Sequence, residues 1–327
     1  MKRREFITLL GSAAVAWPLA ARAQQPAMPM VGFVTGLSSN YVMGRKPAFR
    51  RGLREAGYVE GQNVVVEYHS VEGQSDRPSE IVTDLIERKV AVIVAVGGID
   101  PAKAAKAATT TIPIVFISAA DPLGAGLVTR LNRPEGNITG VSLLNASLEA
   151  KRLGLLHDIV PGTSLIGVLV NPGFSDANLE LRELQEAAGV LKQQIHIVRA
   201  SAESELDAAF ASLAQQSAGG LLIASDPFFA SHREQLVALA ARYKLPTMYH
   251  QREFAEAGGL VSYATDFADG WRQGGAYAGK ILKGAKPADL PIMQSTKFEL
   301  VINLKTAKTL GLILPADVLS IADEVIE

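Results

Sequence analysis

The sequence predicts an α/β fold made of two doubly wound parallel-sheet lobes facing one crevice. Three observations carry this. Apolar runs of strand length alternate with stretches of helical periodicity along the chain. The alternation restarts near residue 145 with the same order and similar lengths. The 327 residues exceed what one simple core holds and suit two lobes.

In order, "MVGFVTG" from Met30 reads as a strand, followed by the helical spacing of Phe49, Leu53 and Ala56, which Gly57 stops. "NVVVEYHS" is a strand, and "DRPSEIVTDLIERK" is a helix with Ile81, Leu85 and Ile86 on one face. "VAVIVAVGG" is a continuous apolar run ending in glycine, the pattern of a buried parallel strand. Asp100 and Pro101 then open a helix as N-cap and first residue. "IPIVFISA" is the fourth strand and "NITGVSLL" the fifth. Ser142 to Glu149 forms the crossover, and "SLEAKRLGLLHDIV" is a long helix.

The second series follows: strand "SLIGVLVNP", helix 175–191, strand "IHIVRA", helix 202–215, strand "GGLLIASDP", helix 231–243 and strand "LPTMYH". Val261 to Tyr263 is a further strand and Asp266 to Leu282 a helix, before a last strand and short helix in "KFELVINLKTAKTLGL". A lone strand and helix cannot form a core. Lobe 1 is therefore assigned to residues 30–144, completed by about 268–327, and lobe 2 to 145–267.

Composition narrows the function. Apolar residues make up 48% and charged residues 20%, and the formal net charge is −1. That leaves no basic field for nucleic acid or an anionic membrane surface. Residues 1–23 have a basic start, an apolar stretch from Phe6 to Trp17 and an Ala21-x-Ala23 cleavage pattern. They read as a secretory signal peptide with a twin-arginine-like "RREFI", cleaved after Ala23. With no cysteine, the chain has no disulfide, thiolate metal site, thiol nucleophile or lipid-anchored cysteine. An exported, unanchored, disulfide-free monomer in a bacterial periplasm is the expectation.

In open α/β sheets ligands bind beyond the carboxyl ends of the strands. In lobe 1 those ends offer Leu37, Ser38, Ser39 and Asn40, then Gly97, Gly98 and Ile99, then Ala119, Ala120 and Asp121. In lobe 2 they offer Asn171-Pro172, Ser225-Asp226-Pro227 with Phe228, Tyr249-His250-Gln251, and Tyr263 to Asp266. Small residues, lone carboxylates and aromatics suit a small zwitterion. Helix N-termini hold its carboxylate, an Asp accepts from its ammonium, and rings cover its side chain. Each position also has a purely structural use. Asp121-Pro122 and Asp226-Pro227 are helix starts that need no ligand, and Tyr249 and Tyr263 can serve interlobe packing.

Catalytic signatures are missing: no His-Glu-x-x-His, no Gly-x-Ser-x-Gly, no P-loop, and a "GAGLVT" at Gly124 that breaks off before a third glycine. His250 is the one candidate acid–base residue. No catalytic residue, metal ligand or cofactor site is assigned.

The stretch from Val94 to Ser142 and the stretch from Arg252 to Glu327, above all "ELVINLKTAKTLGL" and "ADEVIE", resemble the ABC-transporter substrate-binding proteins of the tryptophan/phenylalanine-binding type. The resemblance covers nearly the whole chain after the leader. It implies a two-lobed periplasmic binding protein of type I-like fold, with a hinge of three crossings, no catalysis, and delivery of its ligand to a cognate permease and ATPase. By position it implies ligand contacts from Leu37 to Asn40, at Gly98-Ile99 and at Asp226. Many relatives have Gly-Thr-Pro where this chain has Gly97-Gly98-Ile99-Asp100-Pro101, which changes the pocket. The expected function is uptake of an amino acid or similar small solute. The alternatives are a sensing protein feeding a signalling receptor, or a secreted hydrolase using His250 with Asp266.

Overall fold

The inner strands of the first series are apolar on both faces, so each needs cover above and below. A computed structural model describes residues 28–37, 39–70, 77–144, 148–174 and 176–327. The segment expected to be a signal peptide, with its expected cleavage point, lies outside the described residues, as does Ser38. Five strands, β1 (Met30–Thr35), β2 (Val65–Ser70), β3 (Val92–Val96), β4 (Ile114–Ser118) and β5 (Ile138–Ser142), pair in parallel in the order β5-β4-β3-β1-β2. Helix α1 (Ser39–Glu55) covers one face, and α2 (Arg77–Glu87) and α3 (Asp100–Ala108) the other. Alternation is strict. Val92, Val94 and Val96 point into the core under α1, while Ile93 and Ala95 join Leu85 and Ala102 on the opposite side.

The second lobe repeats the winding. β6 (Leu165–Val170), β7 (Gln194–Arg199), β8 (Gly220–Ile223), β9 (Thr247–Tyr249) and β10 (Val261–Thr265) lie in the order β10-β9-β8-β6-β7, all parallel. Between them run α4 (Glu149–Ile159), α5 (Ala177–Leu191), α6 (Glu203–Gln215), α7 (Pro227–Ser231), α8 (Arg233–Arg242) and α9 (Arg252–Glu256). Both sheets thus reverse winding direction between their first and third strands, at β1/β3 and at β6/β8.

The tail differs from the sequence expectation. Helix α10 (Phe267–Leu282) packs on α1, and the two-residue β11 (Met293–Gln294) adds to the first sheet beside β5. The chain then crosses back. β12 (Phe298–Asn303) pairs antiparallel with β10, β13 (Glu324–Ile326) pairs with β12, and the short helices α11 (Leu304–Thr309) and α12 (Ala316–Ser320) follow the same lobe. The physical reason is the open edge of β10, which β12 closes while burying Leu300, Val301 and Ile302. This is also the antiparallel exception in otherwise parallel sheets.

Two local readings are corrected as well. Ile99, not Asp100, occupies the N-cap of α3, with no side-chain cap bond. Asp121-Pro122 opens a turn rather than a helix. The chain passes between the sheets three times: beyond Leu144, between Thr265 and Phe267, and between Gln294 and Phe298. Among the described residues no helix is long and apolar enough to cross a membrane.

Candidate ligand-binding cleft

The two switch points face each other, and between them lies a narrow crevice lined from both lobes. Lobe 1 supplies Leu37 after β1, Val96, Gly97 and Gly98 at the end of β3, Ile117 on β4 with Ala119 just beyond it, and Leu143. Tyr41 on α1 and Phe267 and Trp271 on α10 complete that wall. Lobe 2 supplies Phe174, Ser225, Asp226, Pro227, His250 and Gln251.

The lobe 1 loops are held by their own backbone chemistry. Thr35 Oγ1 accepts from Leu37 N–H at 3.0 Å, and Ser70 Oγ donates to the Leu37 carbonyl at 2.5 Å. Gly97 has φ +85°, and a Cβ there would stand 2.5 Å from Leu37 Cγ, so both conformation and space require glycine. Gly98, at φ +105°, faces open space instead. Two residues further on, α3 begins without a side-chain cap and carries Pro101, which has no N–H, in its first turn.

The lobe 2 wall is held from behind by a buried ion pair. Arg152 and Glu149 are both fully buried, with Nη1 to Oε1 at 2.6 Å. The same Nη1 donates to Ser225 Oγ at 2.8 Å, Nε donates to the Tyr263 carbonyl at 2.8 Å, and Glu149 Oε1 accepts from Ser225 N–H at 3.0 Å. Ser225 is thereby locked, and Asp226 follows it.

Asp226 N-caps α7. Its Oδ1 accepts from Phe228 N–H at 2.6 Å and Phe229 N–H at 3.1 Å, and its Oδ2 from Asn171 Nδ2 at 3.2 Å. Burial pushes its carboxyl up to about 6, partly offset by those three donors. Burial, with the Arg152 charge second, holds His250 down to about 3, so its ring is neutral at ordinary pH. Burial raises Glu149 despite Arg152, and raises Glu180 well above the carboxylate range, with the Glu149 charge adding to it.

Of the residues singled out in the sequence, Leu37, Gly97, Gly98, Ala119, Ser225, Asp226, Pro227, His250 and Gln251 meet at this crevice. The others stand elsewhere. Ile99 and Ala120 lie in the lobe 1 core on the α2/α3 side. Asp121 accepts from the N–H groups of Leu123 and Gly124, each at 2.9 Å, and so caps its own turn. Phe228 packs on His232 with ring centroids 4.3 Å apart. Tyr249 is fully buried and stacked on Phe254 at 4.7 Å, and Tyr263 stacks on Phe298 at 6.2 Å. Asp266 caps α10 by accepting from Asp269 N–H at 2.8 Å. Ser39 is exposed at the start of α1, and Asn40 is the next residue of that helix.

Asp266, which the hydrolase alternative pairs with His250, is engaged as the cap of α10. Among the described residues no group of three or more His, Cys, Asp or Glu is arranged to hold a metal ion.

Sequence reasoning missed the aromatic walls: Tyr41, Phe174, Phe267 and Trp271. A signal existed for two of them. Phe267 and Trp271 stand four apart at the start of a helix, hence on one face, directly after a crossing.

Two doubly wound lobes joined by three strands of chain, with a crevice at paired switch points, define a solute-binding protein of the type I periplasmic-binding-protein fold. The chain belongs to the ABC transporter substrate-binding protein family, whose model matches residues 34–326. A tyrosine-binding protein of Clostridioides difficile is 26% identical over 267 residues, covering 82% of this chain and 76% of that one. A conserved domain protein from Vibrio cholerae superposes with a TM-score of 0.84 at 27% identity, covering 91% of this chain and 99% of the other. An ABC domain from Streptococcus pneumoniae, solved in complex with L-Trp, superposes with a TM-score of 0.83 at 25% identity, covering 92% and 100%.

Proposed function

We propose that the protein is the periplasmic receptor of an ABC uptake transporter and holds a free amino acid with an aromatic side chain between its lobes. The observation that carries this is a crevice with rings on both sides, Tyr41, Phe267 and Trp271 facing Phe174, one carboxylate at Asp226, and no lysine or arginine among its lining residues. The ammonium of the solute donates to Asp226, whose Oδ2 carries only the Asn171 bond. The carboxylate of the solute meets the backbone of the Gly97-Gly98 corner that leads into α3. The rings cover the side chain, and neutral His250, Gln251 and Ser225 offer hydrogen bonds. Contacts to both lobes at once favour the closed form, which a cognate permease and ATPase then recognise. The tyrosine-binding relative and the L-Trp complex support this solute class.

A thermal-shift panel of L-tryptophan, L-tyrosine and L-phenylalanine against sugars and aliphatic carboxylates tests the reading. A binder at ~100 times its Kd stabilises the protein by ~2.7 kcal/mol. Asp226→Ala weakens that binder at least about tenfold, ~1.4 kcal/mol. Unchanged affinity by calorimetry removes Asp226 from the site. Affinity also falls as pH drops below about 6, because protonated Asp226 no longer attracts an ammonium.

A further inference from the structure

We propose that Arg45 is a positioning residue that ties the two lobes together across the mouth of the cleft and sets Tyr41 and Gln251 against the solute. The inference rests on the cleft being the solute site. Arg45 does not line the crevice, yet three of the groups around its guanidinium do. Tyr41, one helical turn earlier on α1, lies beneath it with the ring centroid 3.7 Å from Cζ, and Phe267 flanks it at 5.7 Å. Gln251 of lobe 2 accepts from Nη2 at 3.4 Å. The fourth partner is Glu253, also of lobe 2, which forms an ion pair with the same nitrogen.

Among the described residues this is the one ion pair that runs between the lobes; the others stay within lobe 1 or lobe 2. Its position gives it leverage. The Arg45 side chain is 8% exposed and that of Glu253 26%. When the lobes part, both charges return to water, the Tyr41 ring stays with lobe 1, and Gln251 leaves with lobe 2. One side chain thereby couples closure to the shape of two cleft-lining groups. Planarity matters: a guanidinium stacks on a ring while its edge binds a carboxylate and an amide oxygen, and an ammonium cannot do all three.

The test uses the full exported chain without its leader. Small-angle scattering of the solute-free protein reads closure without any ligand. Arg45→Ala and Glu253→Gln each give a larger radius of gyration than wild type, and the double variant opens no further than either single one. In the binding arm, L-tryptophan is the probe: its Kd rises about tenfold in Arg45→Ala, chiefly through faster dissociation, and Arg45→Lys recovers part of the loss. Melting of the solute-free variants stays near wild type, which separates positioning from folding. Identical scattering of wild type, Arg45→Ala and Glu253→Gln overturns the proposal. So does a double variant whose opening is the sum of the two singles. If wild type binds no aromatic amino acid, the solute reading fails while the scattering arm still decides the role of Arg45. Should Arg45→Ala not fold, Glu253→Gln alone carries the same comparison.

Discussion

Asp226→Asn should make the solute-free protein more stable at pH 8 while weakening its affinity for an amino acid. The magnitude follows from the site. Burial moves the Asp226 carboxyl from 3.8 to about 6, which costs the ionised form about 3 kcal/mol at ~1.4 kcal/mol per tenfold change in acidity. The group is 5% exposed, so solvent screening removes little of this. Asparagine keeps an oxygen for the two α7 cap bonds from Phe228 and Phe229. Its amide nitrogen, however, faces Asn171 Nδ2, a donor meeting a donor. Asn171 cannot simply rotate, because its Oδ1 already accepts from Gly173 N–H at 2.9 Å. That mismatch costs about 1 kcal/mol, leaving a net gain of about 2 kcal/mol at pH 8. The sign depends on pH. A raised folded-state carboxyl contributes stability below 3.8 that is lost as pH rises through about 6. The variant should therefore lead above pH 6 and trail slightly near pH 3.5. Urea unfolding of both proteins at pH 8 and pH 3.5 measures this. A variant with no advantage at pH 8, or the same advantage at both, refutes the desolvation argument.

Other expectations are equally concrete. A Cβ on Gly52 would stand 1.8 Å from the Arg272 carbonyl oxygen, and one on Gly275 2.1 Å from that of Phe49. Alanine at either position forces α1 from α10 and should cost upwards of ~3 kcal/mol. Gly154→Ala on α4, with nothing within 4 Å, should be neutral or stabilise by ~0.5–1 kcal/mol; equal melting points for the Gly52 and Gly154 variants would remove the close-approach argument. Arg152→Met leaves Glu149 buried beside Ser225 without its cation, for a loss of ~3–5 kcal/mol by chemical denaturation. His250 is depressed from 6.5 to about 3, so its contribution is present above 6.5 and lost as pH falls through that window. The difference between His250→Asn and wild type should accordingly move in the variant's favour by up to ~3 kcal/mol between pH 7 and pH 4, and a difference that stays flat with pH would show a histidine that protonates as readily folded as unfolded.

Much of this architecture is local in origin, and so was legible in the chain. Runs such as Val92–Val96 and Ile114–Ser118 are apolar on both faces, which specifies buried parallel strands. The helices between them carry their own stripes, and the restart near residue 145 announces a second lobe. The switch-point loops were legible for the same reason: strand ends are visible as glycine, Asp-Pro and serine clusters. That is how Leu37, Gly97, Gly98, Ser225, Asp226 and His250 could be named beforehand.

What the chain alone could not decide was which of two chemically similar positions faces the crevice. Asp121-Pro122 and Asp226-Pro227 read alike, yet one caps an exposed turn and the other a buried helix start on the cleft wall. Burial, set by the opposite lobe and by Glu149 and Arg152 underneath, makes the difference. The destination of β12 was likewise nonlocal, since an apolar strand fits either sheet and only the open edge of β10 selects one. The aromatic walls come from helices α1 and α10 and from Phe174 in the second lobe, which meet only where the lobes face each other. Hydrophobic period and turn chemistry act over a few residues, so sequence determined the two sheets and their corners. Distances across the crevice depend on how two separately folded lobes pack, and only the tertiary structure decided those.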